Sequence, residues 1–126
     1  MKPTFSFLLF FCFLLSSHAQ SKESYYIFGV PLDSIKSPYI EAEVCRVPFT
    51  TKVFIDIDYG QESKVLYNKY NRVADEKGNY IEFKSNMDAI NFLINIGYEL
   101  FNAENIRMND DDIRSKYILK KKIKNP

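Results

Sequence analysis

Glu41 and Glu43 sit two residues apart, as do Asp56 and Asp58, and each pair lies on a segment that reads as a β-strand. Residues two apart on a strand share a face. If Pro48 to Thr51 forms the loop between these strands, Val47 stands opposite Lys52. Counting outward then places Cys45 opposite Phe54, Glu43 opposite Asp56 and Glu41 opposite Asp58. Four carboxylates crowd one patch, and like charges directly opposite in a sheet repel. Two kinds of group would offset them: lysines of a neighbouring strand, such as Lys120 or Lys122, or a divalent cation held by Glu41, Glu43, Asp56 and Asp58. Lysines are the ordinary structural answer. Strands hold ligands stiffly, whereas Ca²⁺ usually takes carbonyl and loop oxygens as well.

Other chemistry is thin. The first residues carry Lys2 followed by an uncharged, largely apolar run from Phe5 to Leu15, too short to span a bilayer. The run ends in Ser16, Ser17, His18, Ala19 and Gln20, with Ser17 and Ala19 as the small residues beside a signal-peptidase site. Residues 1–19 therefore read as a signal peptide, with Gln20 as the mature N-terminus and the periplasm or cell exterior as the destination. Cleavage removes Lys2, Cys12 and His18, the one histidine, leaving 16 basic against 16 acidic residues. A neutral chain gives no long-range pull toward nucleic acid or an anionic membrane. Without histidine, a Ser-His-Asp or Cys-His nucleophile cannot be assembled. Cys45 is left without a disulfide partner, and Glu41 and Glu43 beside it disfavour a thiolate.

The four glycines never cluster into a phosphate-binding loop. Asn109, Asp110, Asp111 and Asp112 are consecutive and lack the Gly and distant Glu of an EF-hand, so they read as a solvated turn. Tyr25, Tyr26, Tyr67, Tyr70, Tyr80 and Tyr98 could form an aromatic platform for carbohydrate. Core and sheet packing is the plainer use of such residues.

The elements that must position these groups follow from periodicity. Tyr25 to Val30 is a short apolar stretch, and Pro31 and Pro38 bracket a loop. Tyr39 to Val47 and Lys52 to Tyr59 alternate with period two, which predicts a half-buried strand pair with Ile40, Ala42 and Val44 inward. Gly60 to Lys69 is a polar loop, and Tyr70–Ala74 with Asn79–Phe83 forms a hairpin turning through Asp75 to Gly78. Ser85 is a helix N-cap, Asp88 suits the positive end of the helix and Gly97 closes it, which predicts a helix over Asn86–Ile96. Apolar residues cover most of its circumference, so it needs cover on more than one side: the sheet, and either Tyr25–Val30 or a second copy of the chain. Tyr98–Phe101 begins a strand and Tyr117–Ile123 is the last one. The basic run Lys120 to Lys122 plus Lys124 reads as the solvated end of an edge strand.

An apolar helix ending in Gly97, Tyr98, Glu99 and Leu100, then a turn, then Tyr117, Ile118, Leu119 and Lys120 resembles the Gly-Trp-Glu-Leu exit and Tyr-Ile-Leu-Lys last strand of domain of unknown function 4177. Tyr98 stands where that pattern has Trp. The Ile57 to Gln61 stretch before the helix is similar to one in a set of secreted Gram-negative proteins. The resemblance implies an α+β fold and carries no activity.

The expected molecule has a signal peptide (1–19), a polar lead and loop (20–37) and one α+β domain (38–126). Its antiparallel sheet has about five or six strands, with one helix packed on one face. Its expected function is non-enzymatic binding of a protein or glycan partner, without a cofactor and without an integral membrane segment after cleavage, and with a homodimer as one possible form. The alternative is a carboxylate-based hydrolase acting on glycans, which would set two acids about a scissile bond.

Overall fold

The computed structural model describes residues 23–62, 71–110 and 112–124. The signal peptide, Gln20, the 63–69 part of the expected polar loop, Tyr67, Tyr70 and Asp111 lie outside the described residues. Strands β1 (Tyr26–Ile27), β2 (Val30–Pro31), β3 (Tyr39–Arg46), β4 (Val53–Asp58) and β5 (Val73–Ala74) precede the helix α1 (Asn86–Asn95). Strands β6 (Tyr98–Asn109) and β7 (Asp112–Lys121) follow it. The fold is α+β and antiparallel, and the seven strands among the described residues divide into a four-stranded sheet, β4-β3-β7-β6, and a three-stranded one, β2-β1-β5. Single bridges between Asp56 and Arg72 and between Val53 and Phe83 continue the outer edge of β4. The first of these ties the two sheets together.

Alternation in β3 and β4 has the expected consequence. Ile40, Ala42 and Val44 of β3 meet Val53, Ile55 and Ile57 of β4 in one buried cluster with Leu119 of β7 and Ala89, Ile90 and Leu93 of α1. Ser85 caps the helix: its Oγ accepts the Asp88 N–H at 3.1 Å, and the Asp88 carboxylate accepts the Lys84 N–H at 2.9 Å. The first bond satisfies a donor that the first turn leaves without an intrahelical partner, and the second ties down the residue that precedes the cap. At the other end Gly97 takes φ of +115°, and its N–H donates to the Ile94 carbonyl at 3.2 Å. The further cover that α1 needs comes from the N-terminal segment. Tyr25 meets Phe92 edge to face with ring centroids 4.7 Å apart, Phe92 also touches Phe83, and Ile27 is fully buried.

Two elements depart from expectation. The 70s hairpin turns through Asp75–Gly78 as expected but is short: β5, a bridge from Ala74 to Tyr80 and bonds from the Asp75 and Ile81 N–H groups to the Asn79 and Val73 carbonyls pair its arms, and Asp75 organises the turn. Its Oδ1 accepts the backbone N–H groups of Lys77 and Asn79 at 2.8 and 2.9 Å. Strand β6 continues to Asn109, well past Phe101, and β7 starts at Asp112 rather than Tyr117. β3 backs β7 only from Ser115 to Lys120, so the far part of the β6–β7 ribbon is solvated on both faces. A strand wet on both sides has no period-two signal to read.

Tyr98 is 2% exposed, and its hydroxyl finds no hydrogen-bond partner among the described residues. An orphan buried hydroxyl costs about 1 to 3 kcal/mol. Tyr98→Phe is therefore expected to hold stability level or raise it by about 1 kcal/mol, while Ser85→Ala, which deletes the cap, lowers it by about 1 kcal/mol. Denaturant melts should place Ser85→Ala below the parent and Tyr98→Phe level with it or above it. A Tyr98→Phe protein markedly weaker than the parent would refute the orphan assignment.

Candidate functional site

The outer face of the four-stranded sheet has the expected register. Val47 accepts no slip: its N–H donates to the Lys52 carbonyl at 2.9 Å. Cys45 then faces Phe54, Glu43 faces Asp56 and Glu41 faces Asp58. The four carboxylates are offset singly rather than through a shared centre. Lys116 Nζ lies 2.7 Å from Glu41 Oε1, Arg114 Nη1 lies 2.7 Å from Glu43 Oε1, and Arg72 Nε donates to Asp56 Oδ1 at 3.1 Å. Asp58 Oδ1 accepts the Gly60 N–H at 2.8 Å. Among the described residues no three His, Cys, Asp or Glu side chains come together in a way that could hold a metal ion.

The cations that meet this acidic face are not the expected ones. Lys120 stands opposite Tyr39 and Glu99, beyond the acidic row, and Lys122 lies past the end of β7. The register between β7 and β3 puts Lys116 opposite Glu43 and Ser115 opposite Val44. That register is set across many intervening residues, so no local loop announced it.

Asp56 is the buried acid of this face. It is 7% exposed, and burial raises its carboxyl pKa above the ordinary carboxylate value, while Arg72 pulls it back down. Its Oδ2 also accepts the Cys45 thiol, with Sγ at 3.4 Å. Burial, with Asp56 and Glu43 alongside, pushes the Cys45 thiol up to about 12. Such a thiol is a poor nucleophile, since only the thiolate attacks. A raised carboxyl is what a general acid needs, yet both Asp56 oxygens already have partners.

Beside this face a cleft of about 430 Å³ opens between two turns. Phe28 and Gly29, the two residues linking β1 to β2, have φ of +49° and +75°, and they form one rim with Tyr26 behind them. The Asp75–Gly78 turn forms the other, with Asp75, Glu76 and Tyr80, and Arg72 lies in the wall. The Arg72 guanidinium sits 4.4 Å from the Phe54 ring centroid and 5.7 Å from that of Tyr80, while Phe54 and Tyr80 meet edge to face. Arg72 thus belongs to the acidic face and to the cleft at once. Asp75 is held below the ordinary carboxylate range, chiefly by the Asn79 side chain. It stays ionised and offers oxygens as acceptors.

Phe28 is the unexpected component. A two-residue hairpin turn with both φ values positive favours Asn or Gly, and an L-residue there costs about 1 to 2 kcal/mol. Phe28 is nevertheless 71% exposed. Of the six tyrosines considered for a platform, Tyr26 and Tyr80 share this cleft, whereas Tyr25 packs on Phe92 and Tyr98 is buried. The readable signal was Gly29 between an aromatic stretch and Val30–Pro31, which marks a turn inside what otherwise reads as one apolar segment. A larger groove of about 1020 Å³ runs past Tyr25, Leu32, Ile96 and Lys122. Its Lys121 ammonium is bound to the carbonyls of Ile35 and Asp33, and the Tyr98 hydroxyl beside it is sealed from solvent.

Two outcomes follow from the buried cluster. Arg72→Met should destabilise the protein at pH 7 by about 3 kcal/mol, because it leaves an ionised Asp56 buried without its cation. Asp56 binds its proton more readily folded than unfolded, so lowering the pH neutralises it first in the native state, and a neutral carboxyl needs no counter-charge. The deficit is thus full above the folded pKa of Asp56 and shrinks toward the loss of ring contact alone as pH falls to about 4. Melts of parent and variant across that range check this, and a deficit independent of pH would contradict it. Cys45 should alkylate with iodoacetamide at pH 8 at least about a hundredfold more slowly than a free thiol, whose pKa is about 8.5, and mass spectrometry of timed samples reads the rate directly.

No protein-family model, curated protein or solved structure matches this chain, and the functional reading is carried by its own geometry.

Proposed function

We propose that the protein is an exported, non-enzymatic binding module whose recognition surface is the cleft between the Phe28–Gly29 and Asp75–Gly78 turns. One observation carries this reading: the groups suited to chemistry are engaged in holding the sheet, while exposed aromatic rings and ionised oxygens line the concavity beside it. Cys45 is protonated against Asp56, and Asp56, Glu43 and Glu41 are each paired with a cation. The acid in the cleft whose ionisation is shifted, Asp75, is shifted down, which suits an acceptor and not a proton donor. The Phe5–Leu15 run and the Ala19 site support export of the mature chain.

The carboxylate hydrolase is the competing reading, and one experiment separates the two. Mature protein labelled with ¹⁵N is titrated with a panel of small sugars, amino acids and short peptides. At least one class is expected to shift the amides of Gly29 and of Asp75–Gly78, with the ligand recovered intact. Cleaved product would favour the hydrolase, and shifts confined to other surfaces would remove the cleft from its proposed role.

A further inference from the structure

We infer that β6 is an interface strand: two copies of this chain join edge to edge through Ala103–Arg107, in an antiparallel ladder about a two-fold axis at Asn105. β6 ends the four-stranded sheet, and the outer side of Tyr98–Asn109 has no strand partner among the described residues. An unpaired edge is a template for another strand, and proteins that keep it free shorten it or place Lys and Pro on it. β6 is long and carries neither. The opposite edge is closed off. Phe83 and Arg72 bridge Val53 and Asp56 of β4, and the Val53 and Phe83 backbones exchange hydrogen bonds at 2.9 and 2.8 Å. With one open edge per copy the contact is isologous, and assembly stops at two.

The ribbon lacks what a second copy supplies. β3 pairs with β7 only from Ser115 to Lys120, so beyond Ser115 β6 and β7 pair only with each other among the described residues. A lone two-stranded ribbon is marginal in water. In the paired form Ile106 and Arg107 gain a third strand from Glu104 and Ala103 of the second copy, and each ribbon is backed by the other's sheet.

The register follows from the bulges and the charges. Irregularities between Leu100 and Asn102 and between Arg107 and Asn109 interrupt the ladder, which leaves Asn102–Arg107 as the regular run. Residues that meet across the junction share a face, so the axis passes through a residue rather than between two. Glu104 and Asn105 stand at the middle of the run. An axis at Glu104 would set two carboxylates opposite each other, which repel. An axis at Asn105 sets amide against amide, Glu104 against Ile106 and the long Arg107 against the small Ala103. Asn105 is held ready for this. Its Oδ1 accepts the Ser115 hydroxyl at 2.9 Å, and Ser115 Oγ accepts the Asn86 side-chain amide at 3.3 Å. A group oriented in advance loses less entropy on association. The Nδ2 donors of Asn105 and the second lone pair of its Oδ1 serve a like group, since an amide carries both donor and acceptor. The charges of the run, Glu104 and Arg107, sum to zero, so two copies approach without net repulsion.

The cleft lies by the β4 edge, away from this junction, so the dimer stands whether or not the cleft binds a ligand. Sedimentation velocity on the mature protein, from micromolar to millimolar concentration, should show monomers giving way to dimers and nothing larger. Asn105→Asp keeps the side-chain shape and sets two carboxylates across the axis. It should weaken dimerisation at least about tenfold while circular dichroism stays native. Cysteines read the register directly. In a Cys45→Ser background, Asn105→Cys should cross-link to itself under mild oxidation, whereas Ala103→Cys and Arg107→Cys should each fail alone and cross-link when mixed. A strict monomer at millimolar concentration would overturn the inference. Slow exchange of the Ala103–Arg107 amides in that monomer would assign the edge to another segment of the same chain. A dimer indifferent to Asn105→Asp, or cross-linked by Ala103→Cys alone, would overturn the axis at Asn105, and growth into filaments would overturn the closed dimer.

Discussion

The structure depends on one electrostatic constraint: β3 and β4 set Glu43 against Asp56 and Glu41 against Asp58 on the same face. Such pairs repel, and here Asp56 is buried as well, so the face persists only if cations reach it from elsewhere. Three do so, each from a different part of the chain. Lys116 and Arg114 come from β7 and Arg72 from the segment entering β5. The acidic patch therefore specifies more than its own strand pair, since it favours the β7 register and the placement of the 70s segment that satisfy it.

Arg72 carries the constraint furthest. Its backbone bridges Asp56, joining the edge of the four-stranded sheet to the strand that leads into the three-stranded one. Its guanidinium bonds the Asp56 carboxylate and lies over Phe54, which faces Cys45 across the strand pair. The arrangement that relieves a buried charge thus also fixes where β5 and the Asp75 turn sit. That turn is one wall of the cleft, so the shape of the cleft descends from a requirement of the sheet.

What was legible in the sequence is what short-range chemistry decides. Ser85, Asp88 and Gly97 each act within one helical turn, and the helix lies where they place it. Pro48–Thr51 is short enough to determine a register by counting, and the counted pairs are those observed. The cations were misplaced because β7 meets β3 across a long separation, and nothing local distinguishes Lys116 from Lys120. The length of β6 was missed for a different reason: with both faces of its far half in water, Asn102, Glu104, Asn105 and Arg107 obey no alternation that burial would impose. The cleft was hidden for a third reason. Phe28 and Tyr80 lie on separate hairpins, and only the pairing of β1 with β5 makes them neighbours.

This division bears on where function sits in the molecule. The groups that the sequence advertises, Glu41, Glu43, Asp56, Asp58 and Cys45, are the ones the fold consumes in its own construction. Their partners, burial and raised thiol pKa are consistent with that structural task. Phe28 is different in kind. It contributes little to the core at 71% exposure, and its backbone conformation is one that a smaller residue would relieve. A residue can be held in an unfavourable state only by selection for something other than stability, or by a surrounding structure that overdetermines it. Phe49, at φ of +62° and fully exposed on the loop between β3 and β4, is held the same way, so the strain marks the tight turns of this chain rather than a ligand.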